Sequence, residues 1–415
     1  MSSVILIGGG IIGLCSAYYL QQEGHTVTVI DQSDMQDGCS YGNAGYLSPS
    51  HFIPLATPGI VKQGFKWMLN AKSPFYVQPR LNANLINWGL KFIKSATHEH
   101  GKRSAIPLRD ISLLSKKLYE DLSVAPGYNF YYEQKGMIEF FQTHTNANHA
   151  VEMVNQSNEL GLEAVLLNKE EVQQLEPDLK IDVLGGIHFK CDAHLYPNKL
   201  MSDLKKDLQN KGVIFVLNEV VKEFIIEKNV VKGARSTDKE FFADELVLAT
   251  GALTGDLAKK LNLKIPMIGG RGYSVTFDNP PFKVHHPIIL TEARVAITPM
   301  AGSKVRFGGT MEITSFKSPP KLKRVEGIFE SVKKYFPDFD LEVPRDKIWY
   351  GYRPCSADGL PYIGRSGKYS NLVIASGHAM LGLSLGAATG KLVSEIIGGK
   401  QPSVDLVAFN PDRFA

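Results

Sequence analysis

Short apolar runs at the start of this chain predict a strand, a helix and a second strand in close succession. The run VILIG at 4–8 is rich in β-branched residues and ends in glycine, which is typical of a short strand. The segment at 11–24 then predicts a helix that ends at Gly24, a residue suited to a C-terminal cap. HTVTVID at 25–31 predicts a second strand that ends in an acidic residue. This order is typical of the beginning of a nucleotide-binding α/β unit.

Two later runs repeat the pattern of an apolar strand that ends at glycine. They are DELVLATG at 244–251 and NLVIASG at 371–377, and a helix-like segment follows each. A buried parallel strand that enters a tight turn facing a ligand has this pattern. The intervening stretches differ, since residues 61–184 mix helical and aromatic-rich pieces and residues 263–349 show alternating strand patterns between Pro and Gly. We expect the alternating patterns to form antiparallel sheet.

The composition changes this picture little, because it is that of an ordinary globular protein. Of its 415 residues, 44% are hydrophobic and 21% charged, and a net charge of +4 is too small to indicate a nucleic-acid partner. Four widely separated cysteines fit a reducing compartment and argue against a cysteine-built metal site. The apolar stretch 4–20 follows no Lys or Arg and contains three consecutive glycines, so it predicts neither a signal peptide nor a membrane span. We therefore expect no metal, and a cytoplasmic protein or one that touches a membrane only from outside.

The first turn contains a GxGxxG pattern that predicts a dinucleotide site. Gly8 permits the tight turn, Gly10 lets the backbone approach a pyrophosphate, and Gly13 lets helix and strand pack closely. The intervening Ile11 and Ile12 begin the helix whose free N–H groups face the phosphates. Asp31 follows Gly13 by 18 residues, where a carboxylate can accept both ribose hydroxyls, and an acid there disfavours NADP. The alternative, a glycine turn without a ligand, does not explain this acid.

The pattern alone does not distinguish FAD from NAD. The separate ATG at 249–251 and the terminal SGHAMLGLSLGAATG favour FAD, because a long flavin nucleotide needs contacts from several segments of the chain. A helix N-terminus near the flavin also stabilises the negative charge that gathers there on reduction. Gly377, Gly382 and Gly386 leave room for the backbone to approach.

Several ordered motifs then give the chain a family resemblance. GGGIIG, CSYGNAGYLSP, GGIHFKCDAHLYP, ATG, GYRP with DGLPYIG, and ASGHAMLG resemble the FAD-dependent amine oxidoreductases of the D-amino-acid oxidase type, which include glycine oxidases. NAGYLSP, RGYSVTF, VAITP and GHAMLG are most similar to bacterial D-amino-acid dehydrogenases, including D-proline and D-hydroxyproline dehydrogenases. The resemblance spans nearly the whole chain. It implies an α/β (α+β) protein in which an FAD-binding Rossmann-like domain carries a substrate domain built on a mixed, largely antiparallel sheet.

The resemblance also suggests how the chain divides into domains and where FAD binds. We expect a discontinuous FAD-binding domain at 1–60, 185–262 and 350–415, and a substrate domain at 61–184 and 263–349. Beyond the glycine loop and Asp31, the implied FAD contacts are Gln32, Cys39, Ser40, Ala44, Gly45, Tyr46, Val220, Gly251, Gly377, His378, Ala379, Met380, Leu381, Gly382, Leu383 and Ser384. Some relatives attach flavin through a cysteine where this chain has Gly351, so we expect noncovalent FAD.

The resemblance assigns the substrate carboxylate to Arg353, in the GxRP motif. A guanidinium fork matches a carboxylate and keeps its charge, although an ordinary surface arginine is the plain alternative. Glycine oxidases have a tyrosine where Ala296 stands and an arginine where Met380 stands, so a second carboxylate partner is unassigned. Tyr273 and Tyr46 are candidates, and packing against the core or the flavin is an equal alternative for each. His51 is a candidate pocket residue or an ordinary surface histidine.

The implied reaction is oxidation of a free, neutral D-amino acid, with D-proline and hydroxy-D-proline suggested by resemblance. The α-hydrogen leaves as hydride to flavin N5, water hydrolyses the imine, and a quinone or another acceptor that is not oxygen takes the electrons. The alternatives are an oxygen-using amino-acid or amine oxidase and a flavin subunit of a heteromeric dehydrogenase complex.

A basic and aromatic stretch suggests where the electrons leave. No acidic residue lies between Asp37 and Glu99, and the cations there alternate with large apolar residues. The residues are Lys62, Phe65, Lys66, Trp67, Met68, Lys72, Arg80, Trp88, Lys91, Phe92, Ile93 and Lys94. Such a surface favours contact with an anionic membrane, so we expect 61–103 to bring the enzyme to the cytoplasmic face of the inner membrane. A solvated helical face over an ordinary core is the alternative.

Overall fold

The computed structural model describes residues 1–59, Gly64 and 72–415, which form two main sheets with helices against them. One is a mostly parallel sheet, here called the parallel sheet. Its strands are β1 (Ser3–Ile7), β2 (Thr26–Ile30), β9 (Ile214–Val216), β13 (Glu245–Leu248), β19 (Tyr362–Arg365) and β20 (Leu372–Ser376), in the order β19-β20-β13-β1-β2-β9. Neighbours run parallel except β19 and β20. The four strands predicted from apolar runs, β1, β2, β13 and β20, are confirmed as adjacent members of this sheet.

Helices cover the parallel sheet and bury its apolar residues. They are α1 (Ile11–Gln22), α6 (Pro197–Asn210), α7 (Thr254–Lys260) and α9 (Gly386–Ile397). Helix α1 is apolar on most of its surface because it is enclosed, with Leu14, Ala17 and Leu20 all buried. Helix α9 touches it closely, since a methyl group on Gly390 would lie 2.4 Å from the Cys15 carbonyl carbon.

The second main sheet, here called the large sheet, is mostly antiparallel. Its strands are β4 (Phe75–Val77), β5 (Met137–Phe141), β6 (Ala164–Asn168), β7 (Gly185–Phe189), β14 (Met267–Asp278), β15 (Ile288–Leu290), β16 (Val295–Met300), β17 (Lys304–Ile313) and β18 (Ile348–Ser356). The order is β18-β14-β17-β16-β15-β5-β7-β6, and β4 also pairs with β17. Only β15–β5 and β17–β4 run parallel among these described strands. The predicted α/β fold with a mixed, largely antiparallel second sheet is confirmed.

The remaining elements extend or cover these sheets. A small antiparallel sheet contains β10 (Glu223–Glu227), β11 (Val230–Arg235) and β12 (Glu240–Phe242), and β3 (Tyr46–Leu47) pairs with β8 (Ala193–His194). The other helices are α2 (Ala83–Ser95), α3 (His98–Ser123), α4 (His144–Glu159), α5 (Lys169–Leu175) and α8 (Leu322–Tyr335).

We propose that the sheets define the two domains suggested by the sequence. The FAD-binding parts at 1–60, 185–262 and 350–415 supply the strands of the parallel sheet. Strands β7 and β18, which begin or end near the expected boundaries, pair within the large sheet. The substrate domain in this proposal therefore also takes β7 and most of β18.

A buried ionic network stiffens one edge of the large sheet. Glu312 Oε2 accepts hydrogen bonds from Arg271 Nε at 2.9 Å, Arg271 Nη2 at 2.7 Å and the Tyr273 hydroxyl at 2.8 Å. Arg324 Nε lies 3.3 Å from the other carboxylate oxygen. All four side chains are buried. The Glu312 carboxylate is therefore the negative charge that offsets the positive charges of two arginines shielded from water.

Removal of the Glu312 charge should strongly destabilise the fold. We expect Glu312→Gln to lower the free energy of unfolding by about 3–5 kcal/mol, because two buried guanidinium groups lose their carboxylate. The control is Glu240→Gln, which removes an exposed partner of Arg235 and should leave the urea midpoint close to that of the wild type. Equal urea midpoints for the two variants would contradict this account of the network.

Candidate active site

A cavity of about 2360 Å³ runs from the ends of β1 and β13 to the large sheet. Most of the predicted cofactor residues line it, and so do the four candidate pocket residues. The lining cofactor residues are Gly8, Gly10, Ile11, Ile12, Asp31, Gln32, Cys39, Ser40, Ala44, Tyr46, Val220, Gly251, His378, Ala379, Met380, Leu381, Gly382, Leu383 and Ser384. Gly13, Gly45 and Gly377 are not in this lining, and each instead lies against backbone or a ring behind it.

The glycine loop is built by contacts that leave no space for a side chain. Gly8 has a φ of +107°, and a methyl group there would lie 2.4 Å from the Ala249 carbonyl oxygen. A methyl group on Gly13 would lie 1.9 Å from the Gly8 carbonyl oxygen. The loop therefore packs tightly against the end of β13, and the N-terminus of α1 is turned toward the cavity.

Polar groups surround this helix N-terminus. Asp31 lies directly after β2, and its Oδ2 accepts a hydrogen bond from the Gly9 backbone N–H at 2.6 Å. The Ser40 hydroxyl accepts a hydrogen bond from the Ile11 N–H at 3.0 Å. An acidic residue beside the glycine loop and a helix N-terminus turned toward the cavity are the features that bind a ribose and a pyrophosphate.

The C-terminal loop at 377–384 closes the other side of the cavity. His378 Nε2 lies 3.0 Å from Thr389 Oγ1, while its buried Nδ1 has no hydrogen-bond partner within the part of the chain that is described. Burial lowers the pKa of His378 to about 3, so the ring is neutral. A buried ring nitrogen without a partner beside this cavity fits a polar ligand group at that position. The glycine cradle and this nitrogen together fit a nucleotide cofactor that extends past the loop.

Arg353 lies on the cavity face of β18 and is held above a glycine of the next strand. A methyl group on Gly272 would lie 2.0 Å from Arg353 Nη1, so the guanidinium can rest on the sheet only because position 272 has no side chain. Nη1 donates a hydrogen bond to the Thr310 carbonyl at 2.7 Å. Among the described residues, no other hydrogen bond and no acidic partner of this guanidinium is found. Its partial burial lowers its pKa, and no carboxylate among the described residues compensates the charge.

The hydroxyl groups of the two candidate tyrosines, Tyr273 and Tyr46, have hydrogen-bond partners within the protein. Tyr273 pairs with Tyr350, whereas Arg353 pairs with Gly270, so Tyr273 lies on the opposite face of the sheet. Its hydroxyl donates to Glu312 and accepts from the Lys321 N–H at 2.8 Å. The Tyr46 hydroxyl is also engaged, at 2.7 Å from the Ile288 carbonyl and 3.0 Å from the Ile297 carbonyl. We therefore propose packing roles for both tyrosines.

His51 lies in the cavity wall, in the loop that follows β3. Its Nδ1 lies 3.2 Å from Ser50 Oγ. Burial and the positive charge of Arg294 lower the pKa of His51 to about 4, so the ring is neutral near pH 7. His51 is thus a neutral polar group in the cavity that contains Arg353.

Three residues near Arg353 carry roles that their sequence positions did not indicate. Gly272 lies within the RGYSVTF motif, yet no local pattern shows that an arginine 81 positions later needs its space. Thr310, at a φ of +59°, marks the irregular pairing that turns its carbonyl to Arg353. Trp88 Nε1 donates to the Cys355 carbonyl at 3.0 Å and fixes α2 against β18. A non-glycine residue in the left-handed region cannot be read from sequence alone.

Comparisons with known proteins agree over almost the whole chain. A family model described as DAO, FAD dependent oxidoreductase, matches residues 3–396. A D-amino acid dehydrogenase of Helicobacter pylori is 29% identical over 411 residues, which is 98% of each chain. A D-amino acid dehydrogenase of Bradyrhizobium diazoefficiens is 30% identical over 424 residues, or 99% of each.

Solved structures show the same fold at lower sequence identity. The chain superimposes on glycine oxidase from Geobacillus kaustophilus with a TM-score of 0.79 and 21% identity, covering 99% of this chain and 98% of that one. An L-proline dehydrogenase from P. horikoshii gives a TM-score of 0.76 and 20% identity, covering 100% of this chain and 97% of that one.

The tight packing of the glycine loop gives a test of cofactor binding. We expect Gly13→Ala to lose most of its bound flavin, because the added methyl group would collide with the Gly8 carbonyl oxygen and open the turn. The ratio of visible flavin absorbance to protein absorbance in the purified protein measures this. Gly101→Ala is the control, since nothing lies within 4 Å of a methyl group there. A full flavin content in Gly13→Ala would show that the loop does not hold the cofactor.

Proposed function

Because the chain belongs to the DAO family of FAD-dependent oxidoreductases, we propose that it oxidises a free, neutral D-amino acid to the imine. D-proline or hydroxy-D-proline is our specific suggestion. The names of the relatives support the D-amino-acid class, since the full-length matches from two bacteria are D-amino acid dehydrogenases. We further propose that FAD is bound without a covalent link, since Gly351 provides no attachment atom.

The observation that carries this proposal is that most hydrogen-bond donors of the Arg353 guanidinium, in the cavity wall, have no acceptor among the described residues. Its one hydrogen bond within the described part of the chain, to the Thr310 carbonyl, leaves the other donors of the fork to an incoming group. A carboxylate supplies the charge and the two oxygens that such a fork binds. Arg306 is a buried arginine that also has no acidic partner among the described residues, but it differs because Thr276, Asn43 and Asn198 accept its hydrogen bonds.

The residues around Arg353 bind and orient the substrate. A bound flavin would supply the oxidising chemistry, as the hydride acceptor for the substrate Cα. Arg353 fixes the carboxylate, so that the Cα–H bond is held in one orientation instead of many. Leu85, Trp88 and Phe92 of α2 add an apolar wall that excludes water and suits an uncharged side chain.

Loss of Arg353 should affect catalysis far more than folding. We expect Arg353→Ala to lower kcat/KM for the best neutral D-amino acid by about 1000-fold, because the carboxylate loses a charge-assisted bidentate contact. Steady-state rates with an artificial dye acceptor measure this. Arg345→Ala removes an exposed arginine near the start of the same strand and should retain wild-type kcat/KM. Retention of most activity by Arg353→Ala would contradict the assignment.

Two alternatives lead to different outcomes in the same assays. An oxygen-using oxidase consumes oxygen and releases hydrogen peroxide when its amino acid is added. A flavin subunit of a heteromeric complex is not reduced by an amino acid in the absence of its partners. A dehydrogenase that works alone is reduced by the amino acid but reacts slowly with oxygen.

We propose that the electrons pass to a quinone, and that the surface of α2 brings the enzyme to a membrane at its cytoplasmic face. The surface of α2 carries Ile86, Leu90 and Ile93, which are 53%, 66% and 55% exposed, and Ile93 also lines the cavity. Their spacing puts them on one helical face, and Lys91 and Lys94 flank them. Exposed apolar side chains beside lysines suit an anionic lipid surface.

The rest of the chain is consistent with contact from outside rather than insertion. Lys62, Phe65, Lys66, Trp67 and Met68 of the basic stretch lie outside the described residues. Within the described residues, no helix combines the length and apolarity needed to cross a bilayer. The inner side of α2 lines the cavity, so the helix links the proposed contact surface with the flavin site.

Removal of the apolar face of α2 should abolish membrane contact. We expect the double variant Ile86→Ser and Leu90→Ser to stop floating with vesicles of phosphatidylglycerol and phosphatidylethanolamine. It should keep its activity with a soluble dye, because neither residue lines the cavity. Val124→Ser and Val407→Ser form the matched control, because these apolar residues are exposed elsewhere. If wild-type protein fails to bind such vesicles at low salt, the membrane proposal is wrong.

A further inference from the structure

A buried carboxylate lies behind His51 and is joined to it by a serine. Asp192 comes just before β8, and its side chain is fully buried. Its Oδ1 accepts a hydrogen bond from the Ser50 backbone N–H at 3.0 Å, and its Oδ2 accepts one from Ser50 Oγ at 2.6 Å. Ser50 Oγ lies 3.2 Å from His51 Nδ1. The three side chains therefore form a chain of hydrogen bonds from the interior to the cavity wall.

The direction of these hydrogen bonds fixes the tautomer of His51. An ionised carboxylate only accepts, so the single hydroxyl hydrogen of Ser50 is used by Asp192. Ser50 Oγ can then only accept from His51, and the ring proton must be on Nδ1. Nε2 is left with a lone pair, and it has no hydrogen-bond partner among the described residues. The neutral ring therefore presents a hydrogen-bond acceptor.

We propose that Asp192 and Ser50 are positioning residues that hold His51 as a neutral acceptor for the amino group of the substrate. This inference rests on the proposed function, because it requires an α-amino acid whose carboxylate is on Arg353. Arg353 and His51 line the same cavity, so together they recognise the two polar ends of one molecule. An acid of the same shape without an amino group would use Arg353 alone.

Protonation of Asp192 would reverse this arrangement. A neutral carboxyl group can donate to Ser50, whose hydroxyl then donates to Nδ1 of His51, so that Nε2 carries the proton and becomes a donor. Burial raises the pKa of Asp192 to about 7, which makes this change accessible. The acceptor form is present above about pH 7 and is lost as the pH falls. Amino-acid binding should weaken in the same direction.

The other groups around this chain do not supply the same titration. Those that face it are Cys191, whose Sγ donates to Asp192 at 3.4 Å, Lys116, which donates to the Cys191 carbonyl, Glu139 of β5, and Arg294. Burial raises the pKa of the Cys191 thiol and keeps it neutral. Burial also raises the pKa of Glu139, which Arg294 opposes. Glu139 forms no hydrogen bond to Ser50 or His51 in the described residues, so only Asp192 can change the tautomer directly.

The test compares an amino acid with its amino-free analogue. With Ser50→Ala in the full-length holoenzyme, we expect the dissociation constant of D-alanine, from anaerobic flavin reduction, to rise about 10-fold. Propionate, measured by perturbation of the flavin spectrum, should bind within about 2-fold of wild type because Arg353 is unchanged. Ser123→Ala is the control, because Ser123 is the last residue of α3 and does not line the cavity. Flavin content and the thermal midpoint verify folding.

The pH profile separates positioning from a structural role. For wild type, kcat/KM should rise through an inflection near pH 7, and Asp192→Asn should lose that inflection. Equal effects of Ser50→Ala on D-alanine and propionate, or an unchanged inflection in Asp192→Asn, would overturn the inference. A wild-type enzyme that no neutral amino acid reduces would instead overturn the proposed function.

Discussion

A half-buried arginine that has no carboxylate partner among the described residues sets the main physical constraint on this molecule. The guanidinium of Arg353 cannot lose its charge, and one backbone carbonyl offsets only part of the cost of removing it from water. The surrounding strands serve to hold this cation in place, because Gly272 gives it space and Thr310 gives it a fixed acceptor. In the proposed function, a bound substrate carboxylate would offset this cost.

The rest of the fold keeps that cation in register with the cofactor. On the face of the large sheet behind Arg353, Glu312 ties β14 to β17 through Arg271 and Tyr273. On the front, the loop at 39–51 passes from the glycine loop to the cavity wall, since Ser40 bonds to α1 and Ser48 bonds to Ser384. Rigid strands therefore present the substrate side, and loops at strand ends present the nucleotide side, as in other proteins with parallel sheets.

Local sequence patterns predicted much of the nucleotide side and little of the substrate side. The glycine loop, Asp31 and the strands that end at Gly251 and Gly377 follow from rules that act within a few residues. Tyr273 was a candidate ligand because of its motif, yet its hydroxyl is used by Glu312, 39 positions away. The pairing of Ser50 with Asp192, 142 positions apart, has no local signature either. Such contacts depend on which strands become neighbours, and spacing along the chain does not encode that.

The most direct measurement of the central claim is anaerobic reduction of the purified protein by both enantiomers of a neutral amino acid. The visible flavin absorbance should disappear when D-alanine or D-proline is added to the isolated chain, and it should persist with the L-enantiomers. If Arg353 anchors the carboxylate of an amino acid, the isolated chain should give this result with no partner protein present. The account would be contradicted if a chemical reductant removed the visible flavin absorbance but no amino acid did.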